Sequence, residues 1–222
     1  MRKVVRFGTV GVLAALVVLT LAACGGSGSK ATATSASDPA APRCPASWRV
    51  SWQKLANEID APVYCPSWLP QPLAGRWNGS PFNGQSVDPD RSYLIRFLWF
   101  DSGEAGNISE VHVNLRGQAG NPKIPTCDNT LLVAGKTVHR PSPCFADPKP
   151  VKRHFGKIVA TLYTANQGSD QWHLLYLWRY RGGLYTLSEH VAPPYSYTQV
   201  LANLDRMMRG LVLVEPKPKL KT

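Results

Sequence analysis

The side chains able to do chemistry are spread along the 222-residue chain without the company that catalysis needs. Ser51 and Lys54 are spaced as S-x-x-K, one helical turn apart, and a lysine so placed can help activate a serine hydroxyl for acyl transfer. No S-D-N follows, however, and Gly135-Lys136-Thr137-Val138 lacks the final glycine of K-T-G. The same segment ends as a phosphate-binding loop would, except that Thr130 occupies the place of its first glycine, so it reads as a hairpin turn. No G-x-S-x-G marks a nucleophile elbow. The five histidines, His112, His139, His154, His173 and His190, show neither H-x-H nor H-E-x-x-H spacing. His112 is the best placed, because Glu110 and Asn114 would share its strand face and offer a polar site, although any half-exposed strand alternates in this way. This reading yields no catalytic residue, no metal site and no cofactor.

Two other groups point to binding. Trp172, Tyr176 and Trp178 occupy even positions of one strand-like stretch, so they share a sheet face. Such rings can stack on a sugar or an apolar ligand, or else build core against a helix. Lys149, Lys152, Arg153 and Lys157 concentrate four permanent positive charges beside a proline-rich segment, which suits an anionic surface or polymer and equally a solvated loop.

Cys44, Cys65, Cys127 and Cys144 lack C-x-x-C spacing and histidine partners at ligand spacing, so two disulfides are expected rather than a metal site. Three pairings exist, and the sequential one, Cys44 with Cys65 and Cys127 with Cys144, is preferred. A helix over residues 47–59 would span about 20 Å, and residues 60–65, stiffened by Pro62, could run back along it nearly extended.

The elements that must position these residues follow from periodicity. Trp48, Trp52, Leu55 and Ile59 recur at helical spacing. Residues 66–89 are rich in turn signals, Tyr93 to Phe100 reads as a largely buried strand, and Val111, Val113 and Leu115 alternate with His112, Asn114 and Arg116. Ile158 to Ala165 is strand-like, and Trp172 to Tyr180 pairs through Gly182-Gly183 with Leu184 to Val191 as a hairpin. Ser196 caps a last helix bearing Tyr197, Val200, Leu201, Leu204, Met208 and Leu211 on one stripe. The fold class expected is α+β, a mainly antiparallel sheet covered by an N-terminal and a C-terminal helix.

Ahead of this domain, Arg2, Lys3 and Arg6 precede an almost unbroken apolar run from Val10 to Ala23, closed by Leu21-Ala22-Ala23-Cys24. This resembles the signal and lipobox of bacterial lipoproteins. The resemblance implies cleavage after Ala23, a diacylglyceryl group on the Cys24 thiol, acylation (palmitate) on its amino group, and anchoring to the outer face of the bacterial cell membrane, for which two or more chains are needed. The organisation expected is therefore a signal peptide over 1–23, a lipidated Gly/Ser/Ala/Thr-rich tether over 24–43, one extracytoplasmic domain over 44–214 and a basic tail over 215–222. The whole chain carries 25 Lys and Arg against 14 Asp and Glu, and three of the bases lie before Cys24. That excess points to anionic lipid, wall polymer or an envelope protein as partner, and away from nucleic acid in an exported chain.

Val63-Tyr64-Cys65-Pro66-Ser67-Trp68-Leu69-Pro70 also resembles the Tyr-Pro-x-x-Leu-Pro entry of small extracytoplasmic domains of unknown function, found in lipoproteins and anti-sigma-factor proteins. Trp178, Gly183-Leu184-Tyr185 and the stretch Leu201 to Leu211 are similar to their closing elements. Cys65 before Pro66 departs from that pattern, and the resemblance carries over no catalytic residue. Together these readings lead to a non-catalytic binding, sensing or assembly role in the cell envelope. A lipid or small-ligand carrier with an aromatic pocket between sheet and helices is the alternative, and a wall-directed hydrolase the second.

Overall fold

Helix α1 (Arg49–Ile59) begins two residues later than the expected start at residue 47 and buries Trp52, Leu55, Ala56 and Ile59. Asp60, in the left-handed conformation, ends it, and the chain returns through Pro62 into β1 (Val63–Pro66). The Trp52 indole N–H donates to the Tyr64 carbonyl at 2.8 Å, tying the return to the helix. Cys44 and Cys65 are bonded, with Cα atoms 5.6 Å apart, as the helix-and-return geometry predicts.

The computed structural model describes residues 41–73, 84–102, 108–164 and 172–218. The chain divides into two units, 1–40 and 41–222. The expected signal, Cys24 and the tether as far as residue 40 lie outside the described residues, as do 219–222 of the tail.

The following elements are β2 (Gly84–Val87), β3 (Tyr93–Ser102), β4 (Ile108–Gln118), β5 (Thr126–Val133), β6 (Lys136–Pro143), β7 (Val151–Phe155), β8 (Ile158–Tyr163), β9 (His173–Tyr180), β10 (Gly183–His190), α2 (Tyr197–Arg209) and β11 (Leu211–Val214). Seven strands make one antiparallel sheet in the order β2-β3-β4-β10-β9-β8-β7, while β1 pairs with β11 and β5 with β6. The described residues are thus mostly antiparallel sheet with two helices.

Side-chain alternation gives this sheet two different faces. On the inner face, Ile95 and Phe97 of β3, Tyr176 and Trp178 of β9 and Leu187 of β10 share one core with the buried residues of α1 and α2. Each such side chain, fully buried, contributes about 1.5–3 kcal/mol. Phe97 stacks on both Trp48 and Trp52. Gly117 leaves room where Tyr93 and Tyr185 flank it in register, since a Cβ there would strike the Tyr93 ring. β3 is not the largely buried strand expected from its composition. Tyr93, Ile95 and Phe97 are buried, but Arg96 and Phe100 on the opposite face are exposed.

The turns follow backbone chemistry. Arg181 and Gly182 both have positive φ, as a two-residue type I′ turn requires, so Tyr180 pairs with Gly183 and the hairpin turns one residue earlier than expected. Ala134 and Gly135 do the same between β5 and β6, making the expected turn at Gly135. Ser196 and Gln199 form a complete capping box on α2. On the outer face, Cys144, Phe145, Leu175, Leu177 and Leu184 make a second, smaller core. The Cys127–Cys144 disulfide, Cα atoms 4.9 Å apart, ties β5 to it.

Candidate functional site

The outer face of β4 and β10 is polar along nearly its whole length. β4 presents Glu110, His112, Asn114, Arg116 and Gln118, and β10 presents Thr186, Ser188 and His190. Register sets Ser188 opposite Asn114 and Thr186 opposite Arg116. Asn114, Thr186 and Ser188 are buried, so polar groups occupy ground that an ordinary core would fill with aliphatic side chains.

One end of this column collects histidines from three strands. His190 pairs in register with His173, and their rings stack with centroids 5.0 Å apart. His112 meets His173 edge-on, also at 5.0 Å. Oε1 of Glu110 lies 3.2 Å from Nδ1 of His112 and 3.3 Å from Nδ1 of His190. Nε2 of His112 lies 3.0 Å from Oδ1 of Asn114. The Glu110 backbone N–H donates to the Pro193 carbonyl at 2.7 Å, fixing the strand end. Burial lowers the His112 pKa from its ordinary value, and the Glu110 carboxylate opposes that shift. Glu110, His112 and His190 could hold a metal ion, since each places one donor atom within 4.8 Å of the others.

The other end opens into a cavity of about 300 Å³, at the small end of the range for ligand sites. Leu94, Leu184 and Phe145 contribute apolar surface to its lining, and Ser92, Arg116 and Thr186 contribute polar groups.

The aromatic and basic residues singled out in the sequence do not meet at this site. Tyr176 and Trp178 are core, and Trp172, outside β9 at positive φ, is 73% exposed, so the three form no common stacking surface. Tyr176 and Trp178 belong to the buried cluster that also takes in residues of α1 and α2, whereas the cavity is lined by outer-face residues such as Leu94, Arg116 and Thr186. The basic segment is a β-hairpin rather than a loop. Lys149, Lys152 and Lys157 are exposed, but Arg153 points the other way, with Nη1 2.6 Å from Oδ2 of Asp205 on α2. His112, Glu110 and Asn114 do share a strand face. Spacing along the chain does not join His173 and His190 to His112, because they come together only through sheet pairing, and the hairpin register is the signal that could have joined them. If Tyr180 pairs with Gly183, His173 must face His190.

A buried carboxyl lies beneath the column, on the inner face. Burial pushes Glu189 up to about 8, although the Asn203 amide, donating to its Oε1 at 2.9 Å, pulls the other way.

No family model, curated protein or solved structure matches the chain. Among the described residues, no helix is long and apolar enough to cross a membrane.

Proposed function

We propose that the protein is an exported bacterial lipoprotein, anchored by lipid on Cys24 to the outer face of the cell membrane, whose domain binds an envelope component without turning it over. In this reading α1 and α2 close the inner face of the sheet, and the outer face of β4 and β10 receives the ligand. The observation that carries it is the polar column on that face, leading into a cavity lined by both apolar and polar side chains. Such a lining suits an amphipathic component, its apolar part against Leu94, Leu184 and Phe145 and its head toward Ser92, Arg116 and Thr186. The lipobox supports the location, and the exposed Lys149, Lys152 and Lys157 suit an anionic membrane or wall surface nearby.

The test is native mass spectrometry of the full chain after gentle extraction, with an assay for turnover of isolated wall polymer alongside. The expected result is a mature chain starting at acylated Cys24, carrying a bound amphipathic molecule and leaving the polymer intact. A retained signal or bare Cys24 would contradict the location, and polymer turnover would contradict the binding role.

A further inference from the structure

We propose that Glu110, His112 and His190 form a binding site for a divalent transition-metal ion of the zinc type. The inference goes beyond the ligand-binding reading and does not depend on the cavity, which lies at the opposite end of the column. Zinc binds nitrogen and oxygen ligands at about 2.0–2.2 Å, and a tetrahedral arrangement then separates neighbouring donors by about 3.3 Å. Oε1 of Glu110 already lies 3.2 Å from Nδ1 of His112 and 3.3 Å from Nδ1 of His190. The three donors lie within 4.8 Å of one another, so a small side-chain rotation completes the triangle.

The surrounding contacts point the same way. The amide oxygen of Asn114, 3.0 Å from Nε2 of His112, accepts a hydrogen bond there and assigns the ring proton to Nε2. The lone pair of Nδ1 is then turned toward the Glu110 carboxylate, and two acceptors so placed are satisfied by a cation between them. Nδ1 of His190 is shielded from solvent and makes no hydrogen bond among the described residues, although it faces the same carboxylate oxygen. The His173 ring stacks on His190 and meets His112 edge-on, which holds both imidazoles in place.

Two imidazoles and one carboxylate suit zinc or a neighbouring transition ion, whereas Ca²⁺ and Mg²⁺ call for an oxygen shell. Side-chain exposures of 17% for His112, 23% for Glu110 and 24% for His190 leave the fourth position open to solvent or to a ligand atom.

The experiment titrates the full-length, detergent-extracted protein with Zn²⁺ against a chromophoric chelator, and with Co²⁺ followed by visible absorption. The expected result is one ion per chain with a dissociation constant at or below about 10 μM, intense tetrahedral Co²⁺ bands, and no response to Ca²⁺ or Mg²⁺. His190→Gln and Glu110→Gln should each weaken Zn²⁺ binding at least about tenfold, as expected for loss of one ligand. His139→Gln, which alters the exposed His139–Asp128 pair, should leave it unchanged. Failure of the wild-type protein to bind Zn²⁺, octahedral Co²⁺ spectra, or equal affinity in the His190→Gln and Glu110→Gln proteins would overturn the proposal. The wild-type Co²⁺ spectrum decides it even if a variant does not fold.

Discussion

Arg153 on the edge strand β7 reaches across to Asp205 on α2, its Nη1 2.6 Å from the carboxylate. The Tyr176 hydroxyl donates to the other oxygen of that carboxylate at 2.5 Å, so one acid joins β7, β9 and α2. Burial and the adjacent Asp205 both push the Tyr176 pKa above its ordinary value, which keeps the hydroxyl a donor. Asp205→Ala removes both contacts and should cost about 1–3 kcal/mol in urea denaturation. Arg153→Ala removes only a partly exposed ion pair and should cost less, about 1 kcal/mol or under.

The same contact divides the basic segment into parts with different tasks. Lys149, Lys152 and Lys157 remain exposed while Arg153 holds the fold, and in the proposed contact with an anionic surface each of the three bases would contribute about 1 kcal/mol. Changing the three lysines to Ala should reduce retention of the protein on anionic vesicles, and added salt should weaken wild-type retention. Retention that is independent of both salt and the three lysines would remove this face from the account.

Glu189 should make stability depend on pH. Its pKa rises from 4.5 to about 8 on folding, so between these values the folded chain holds a proton that the unfolded chain has released. Its stabilising contribution is fully present below the lower value and is lost as pH rises through the upper one. Glu189→Gln should flatten that slope and stabilise the protein at alkaline pH, measured by denaturation across the range.

The two disulfides should matter to different parts of the molecule. Cys44–Cys65 fastens the residues before α1 to β1, and Cys127–Cys144 fastens the β5–β6 hairpin to the outer-face cluster. Replacing either pair by serines should lower stability by about 2–4 kcal/mol. Only loss of the second should loosen the cavity wall formed by Phe145, read as faster amide exchange there.

Local pattern carried much of this fold and little of its site. The Trp48, Trp52, Leu55 and Ile59 stripe, the Ser196 cap and the return of Cys65 to Cys44 depend on neighbours within one or two turns or on short chain geometry, and all were legible. The β2 strand, Gly84–Val87, hid among turn residues because a short exposed edge strand has no buried face to pattern. The reach of Arg153 to Asp205 and the meeting of His112, His173 and His190 depend on strand order and register. A shift of one residue at Arg181-Gly182 changes every cross-strand partner, so local spacing along the chain does not encode them.

The central claim, that the outer face of β4 and β10 receives an envelope ligand, is tested most directly by photo-crosslinking in intact cells. A photoreactive residue at Gln118, beside the cavity, is compared with one at Lys54 on the exposed side of α1. The account predicts a discrete adduct from Gln118, identified by mass spectrometry as an amphipathic envelope molecule, and none from Lys54. No adduct at Gln118, or the same adduct from both positions, would contradict it.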